Sequence, residues 1–261
     1  MLQGYGFLRC LRLLRDDVPS FDQYPFSIPT VRHLKELEFD PKVTFFVGEN
    51  GSGKSTLLEA IAISVGFNAE GGSKNFKFST RSSESDLSKY LRVARGIRRE
   101  KDGFFLRAEA LFNAATYMEN IGVRYGSKSL HEQSHGESFL ALANHRFGGN
   151  GLYLLDKPEA ALSPSRQLSL LKIINRLVER TGSQFLIATH SPILLAYPGA
   201  LIYEFGSEGV RKVAYEDTEH YQITKDFLSA RERYFKNLFA EDEPDVVETN
   251  DDPEGADEGD P

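Results

Sequence analysis

Apolar and polar positions along this chain follow two periods. Val43-Thr44-Phe45-Phe46-Val47, Tyr153-Leu154-Leu155 and Phe185-Leu186-Ile187-Ala188-Thr189 are short, nearly continuous apolar runs. That is the pattern of strands buried on both faces. Gly103–Ala108 reads as a strand too, and Ala200–Glu204 and Val210–Tyr215 as late strands. Residues 5–47 alternate more openly: strands at Tyr5–Leu14, Val31–Phe39 and Val43–Val47, with a Pro-containing loop over Val18–Pro29. The alternation suits an antiparallel layer.

Helical spacing appears between these runs. Leu57–Ala62 is a good helix former ending near Gly66. Ser165–Arg180 places Leu168, Leu171, Ile174, Leu177 and Val178 on one face, with Gly182 as a stop. Helices are also expected over Asp86–Ile97, Glu109–Asn120 and Ile223–Phe239. Strands alternating with helices predict an α/β fold: a largely parallel central sheet, an antiparallel β layer and a small helical lobe inserted over about residues 68–148.

Composition adds one boundary. The net charge is −7, yet residues 241–261 hold eleven acids and no Lys or Arg. Residues 1–240 then carry 31 bases against 27 acids. The expected domains are therefore 1–240 and a disordered acidic tail, 241–261. The tail's reading is solubility, or a mimic of nucleic acid folding back on a basic face. No run approaches the ~18 apolar residues of a membrane span, Met1–Arg15 does not read as a signal peptide, and the single Cys10 suits a reducing cytoplasm.

The chemistry concentrates in Gly48-Glu49-Asn50-Gly51-Ser52-Gly53-Lys54-Ser55-Thr56. It matches G-x-x-x-x-G-K-[ST] and lies between a strand and a helix, the context that motif requires. Glycines let backbone N–H groups turn inward on phosphate oxygens. Lys54 reaches the β- and γ-phosphates, Ser55 holds Mg²⁺, and the helix N-terminus faces the anion. Leu154-Leu155-Asp156 ends a buried strand in an acid able to bind Mg²⁺ beside that loop.

Asp156-Lys157-Pro158-Glu159-Ala160-Ala161-Leu162-Ser163-Pro164 carries a family resemblance. Over roughly residues 1–240 the chain resembles ABC-type P-loop ATPases, among them SMC-like and recombination-repair heads and small stand-alone bacterial AAA family ATPases. The resemblance implies a Walker B acid at Asp156 and a D-loop at Ala160–Ser163. It implies a switch histidine at His190, followed by Ser191-Pro192. Ser134, Gly136 and Glu137 fall where the signature motif belongs, with His135 in place of a glycine. They would meet the nucleotide of a second protomer. No Gln lies between Thr56 and Gln133, and Glu109 is the expected occupant of the Q-loop position.

The main departure is Lys157, where the family carries a water-polarising Glu. A lysine cation accepts no proton, so slow hydrolysis and a persistent ATP-bound dimer are expected. Glu159 lies two positions on, past Pro158. The expected cofactors are ATP and Mg²⁺, and the expected partner is a second copy. Nucleic acid or an effector protein are further candidates. Lys74, Lys77, Arg81, Lys89, Arg92, Arg95, Arg98, Arg99 and Lys101, with Phe76, Phe78 and Tyr90, form a basic lobe that reads as a phosphate-binding face, or as a solvated face balanced by Glu84, Asp86 and Glu100. Three functions follow: a dimerisation switch in DNA repair, recombination or phage defence; a transporter's nucleotide-binding subunit; or a non-hydrolysing ATP-sensing scaffold.

Overall fold

The computed structural model describes residues 6–74, 85–108 and 134–240. The chain divides into two compact units, Met1–Gln222 and Ile223–Pro261. The first is organised by a six-stranded sheet of β3 (Val43–Gly48), β5 (Asp102–Arg107), β6 (Gly151–Asp156), β7 (Gln184–Ala188), β8 (Leu201–Gly206) and β9 (Gly209–Val213), in the order β5-β6-β7-β3-β8-β9. All neighbours pair in parallel except β8–β9, an antiparallel hairpin.

Every residue of β3, β6 and β7 is buried, which is why these strands read as unbroken apolar runs. Successive side chains serve opposite faces. Phe45, Tyr153, Leu155, Phe185 and Ile187 pack under α3 (His135–Arg146) and α4 (Pro164–Thr181). Phe46, Leu152, Leu154 and Leu186 pack against α2 (Lys54–Ser64) and a second sheet. That sheet is antiparallel, in the order β2-β1-β4, from β1 (Leu8–Leu13), β2 (Glu36–Glu38) and β4 (Leu91–Arg95).

Four expectations are corrected. Asp86–Ile97 is not a helix: a 3₁₀ turn at Asp86–Tyr90 leads into β4, whose Leu91 and Val93 register with Leu13 and Leu11 of β1. Pairing across about 80 residues of sequence overrides the local preference. Val31–Phe39 is not one strand either. A short helix, α1 (Pro29–Arg32), starts at the proline, and β2 follows as three residues. In α4 the inward stripe is Gln167, Leu170, Ile173, Ile174, Leu177 and Val178, while Leu168 is exposed. After the short α5 (Pro192–Leu195), the last helix is two, α6 (Glu219–Ser229) and α7 (Arg231–Ala240). The expected helix Glu109–Asn120 and the acidic tail lie outside the described residues, as do Lys77, Arg81, Phe76 and Phe78.

In the second unit Phe227 meets Tyr234 and Phe235 edge-on, and Phe235 stacks on Phe239. Among the described residues, no helix is long and apolar enough to cross a membrane.

Candidate functional site

Parallel strands that enter together end together, so the carboxyl edge of the sheet gathers residues far apart in sequence. The loop after β3 adopts left-handed backbone at Gly48 and at Gly53, the residue that opens α2. A Cβ at Gly48 would lie 2.2 Å from the Phe205 carbonyl oxygen, and one at Gly53 would strike the Thr30 hydroxyl at 2.7 Å. Thr30 uses that hydroxyl to donate to the Ser52 carbonyl at 2.6 Å, bracing the loop from outside.

Lys54 is buried, and its ammonium folds back over the loop. It donates to the Gly48 and Glu49 carbonyls, both at 2.7 Å, and to Ser52 Oγ at 3.2 Å. Its pKa is pushed down to about 8, first by burial and then by the Lys157 cation; Asp156, Glu49 and Glu159 act in the opposite direction. Asn50 and Gly51 sit at the exposed tip of the loop, and Ser55 and Thr56 in the first turn of α2 are half-buried.

Ser55 Oγ donates to Asp156 Oδ1 at 2.8 Å, across 101 residues of sequence. Sequence reasoning missed Arg107. Its guanidinium lies 3.6 Å from Asp156 and 2.6 Å from Glu59. Arg107 ends β5 in direct register with Asp156, so its position at the end of an apolar run was the available signal. Glu109, two residues beyond, lies outside the described residues.

Lys157 follows Asp156 in left-handed backbone, φ 50° and ψ 51°. Its N–H donates to the Ala188 carbonyl at 2.8 Å, carrying the β6–β7 ladder one step past the strand. Glu159 lies in the 3₁₀ turn that follows Lys157. Its two oxygens accept from Thr189 Oγ1 and the His190 backbone N–H, both at 2.7 Å. It ties the turn after β6 to the end of β7. Gln167 makes a parallel tie, donating to the Leu162 carbonyl and accepting from the Ser191 hydroxyl.

His190 meets a residue that the sequence did not flag. Its Nδ1 lies 3.1 Å from Nε2 of His220, in the first turn of α6. Burial, then the Lys54 cation, His220 and the Lys157 cation, push the His190 pKa down to about 4, so its ring is neutral near pH 7. Nothing in the local pattern around Thr218-Glu219-His220 marks that histidine.

The signature candidates form a second cluster at the start of α3. Ser134 Oγ and the Ser134 N–H both donate to Glu137, at 2.7 and 3.0 Å, in a capping box. Arg166, from the first turn of α4, donates to Ser134 Oγ at 3.1 Å and pairs with Glu137 at 3.3 Å. Gly136 leaves room for that guanidinium: a Cβ there would meet it at 2.7 Å. In the basic lobe, Lys74 and Arg95 pair with Glu100, and Lys89 with Asp86. Three of its cations thus have acidic partners within the fold.

A cleft of about 760 Å³ is bordered by Gly48–Ser52, the β8–β9 turn and Asp217. Ser55 and Asp156 do not line it.

Comparison with known proteins agrees with the motifs. A family model described as an AAA domain matches residues 21–136. Another, described as an AAA domain of a candidate AbiEii toxin in a Type IV TA system, matches residues 129–196. The tungstate uptake system ATP-binding protein TupC of Campylobacter jejuni is 28% identical over 233 residues, covering 76% of this chain and 68% of its own. Among solved structures, cbiO1 of Clostridium perfringens, part of an ABC transporter complex, aligns at TM-score 0.47 and 17% identity, over 79% of this chain and 91% of its own. The SMC head domain of Thermotoga maritima aligns at TM-score 0.44 and 15% identity, over 79% and 98%. With the phosphate loop, the strand-end acid and the parallel sheet in place, these matches support an ABC-type P-loop ATPase.

Proposed function

We propose that this chain binds ATP with Mg²⁺ at Gly48–Thr56, closes head-to-tail on a second copy while ATP is bound, and holds the triphosphate longer than it cleaves it. The observation that carries this reading is position 157. A cation stands there, close enough to depress the Lys54 and His190 pKa values, where the resemblance implies a water-polarising carboxylate. Loss of a general base costs a factor of about 10²–10⁴ in rate.

The residues fit Mg²⁺. A hydroxyl and a carboxylate 2.8 Å apart at the loop are hard oxygen donors, and phosphate oxygens and water complete such a site. The ion, when bound, neutralises phosphate charge. Gly48, Gly51 and Gly53 shape the loop, and Glu49, Asn50, Ser52 and Thr56 complete it. Lys54 leaves its carbonyl partners for the phosphates. His190 faces the terminal phosphate, and Ser134, Gly136 and Glu137 face the nucleotide of the second copy. Glu159 serves as a tie between Lys157 and His190.

The switch reading places the output in DNA repair, recombination or phage defence, supported by the match to an AbiEii-type AAA domain over residues 129–196. The second reading, a transporter's nucleotide-binding subunit, is favoured by the tungstate-uptake relative. Mass measured by sedimentation in ATP–Mg²⁺ and in ADP–Mg²⁺ tests the switch: a dimer with ATP alone is expected, and a monomer in both sinks it. Salt-dependent DNA binding favours the first reading, and co-purification with an integral membrane partner the second.

A further inference from the structure

The His190–His220 contact has a consequence that follows from counting hydrogens. Each neutral imidazole carries one N–H and one lone pair. The 3.1 Å contact between His190 Nδ1 and His220 Nε2 uses one of each. One N–H and one lone pair are left, at His190 Nε2 and His220 Nδ1. Both atoms are buried and have no hydrogen-bond partner among the described residues. A buried polar atom left so is costly, and the cost falls when a ligand completes it.

Two arrangements exist. If His190 donates to His220, His190 Nε2 presents a lone pair. If His220 donates to His190, Nε2 presents an N–H. Phosphate oxygens without protons only accept, so a nucleotide phosphate is served by the second arrangement alone. The charges facing His190 pull in the same direction once an anion is present. Lys54 from α2 and Lys157 from the turn after β6 are cations, with Glu49 of the loop opposing them. With no anion between them, these cations favour a lone pair at Nε2. A phosphate reverses that preference.

The turn that carries His220 is firmly held. Thr218, fully buried, donates its hydroxyl to the Tyr215 carbonyl at 2.7 Å and accepts the Gln222 N–H at 3.1 Å, and Tyr215 packs on Tyr221.

We propose that His220 is a positioning residue for His190: it holds the ring in place and donates to Nδ1, so that Nε2 offers an N–H to the terminal phosphate of a nucleoside triphosphate. This rests on the ATP-binding reading above. His220 itself touches no phosphate and acts only through His190. Its signature is therefore discrimination between a triphosphate and a diphosphate, which a general loss of structure would not reproduce.

The experiment measures equilibrium affinity for ADP and for ATPγS, with Mg²⁺, on the full chain as wild type, His220→Phe and His220→Gln. Phenylalanine keeps the ring and removes both nitrogens, while glutamine restores an N–H donor. His220→Phe is expected to bind ADP as the wild type does and to lose about fivefold of its preference for ATPγS, the weight of one ordinary hydrogen bond. His220→Gln is expected to recover most of it. Nitrogen NMR on ¹⁵N-histidine protein with ATPγS should show the proton of His190 on Nε2 in the wild type. An unchanged preference in His220→Phe overturns the proposal, as does a loss that His220→Gln fails to repair. Wild-type protein that binds neither nucleotide overturns the ATP-binding reading itself, an outcome distinct from the other two.

Discussion

Two strand ends lie on the same edge of the sheet and solve the same backbone problem differently. After β3 the chain turns through left-handed backbone at Gly48, and after β6 it does so at Lys157. Glycine meets that demand with no steric cost, whereas a lysine there costs about 1–2 kcal/mol. At Gly48 a side chain would collide with the Phe205 carbonyl, so geometry alone explains the residue. At Lys157 the backbone disfavours any side chain, and what the residue brings to this edge is a cation beside Lys54 and His190. Backbone strain of this kind gathers at functional positions. The Gly48 end is built as the motif requires, while the Lys157 end carries a charged side chain on strained backbone.

The sharpest way to break this contrast is Lys157→Glu. Steady-state ATP turnover should rise by a factor of about 10² or more, the weight of a general base, and equal rates would show that position 157 does not limit hydrolysis. Gly48→Ala tests the other end. Chemical denaturation should show a loss of about 3 kcal/mol or more, because strain and a backbone collision add. Lys54→Ala should weaken a fluorescent ATP analogue by about 10²-fold, the order expected for charged hydrogen bonds, with little change in fold.

Lys157→Gly makes the smallest and most discriminating change. It relieves the left-handed strain and one repulsion on Lys54, at the cost of extra freedom in the unfolded chain. A gain of about 0.5 kcal/mol in stability is expected. A clear loss would mean that Lys157 is there for structure, and the contrast between the two strand ends would dissolve.

Acidity offers a milder probe of the same pair. Lys54 titrates near 8 in the folded protein, below its ordinary 10.5. Between those values the unfolded chain binds the extra proton, so the stability of the free protein should rise with pH across that window. Affinity for nucleotide should fall over the same range as the cation is lost. His190 runs in the acidic window. With its pKa lowered from 6.5 to about 4, its contribution to stability should fade as pH drops from 6.5 towards 4. Thermal melts and binding titrations across pH 4–10 check both signs.

Much of the central sheet was legible because β3, β6 and β7 are buried on both faces and must read as apolar runs. The phosphate loop was legible because its glycines answer a local backbone demand. The antiparallel layer was read less well. Leu91–Arg95 carries no local strand signal strong enough to outweigh its helix-forming surroundings, and only pairing with β1 settles it. Among site residues, Lys54, Ser55, Asp156 and His190 stand in or beside motifs. Arg107 and His220 do not. Each touches a neighbour distant in sequence, Arg107 because β5 and β6 end on one edge and His220 because α6 packs beside the end of β7.

By itself, the sequence determined the glycine-rich loop after β3, the acid that ends β6 and the lysine that follows it, because each is a matter of residue type at fixed spacing. Tertiary structure alone decided that Glu159 is spent on Thr189 and His190, and that His190 leans on His220. Those are contacts across 30 or 31 residues, made when β6, β7 and α6 pack, and no spacing rule along the chain encodes them.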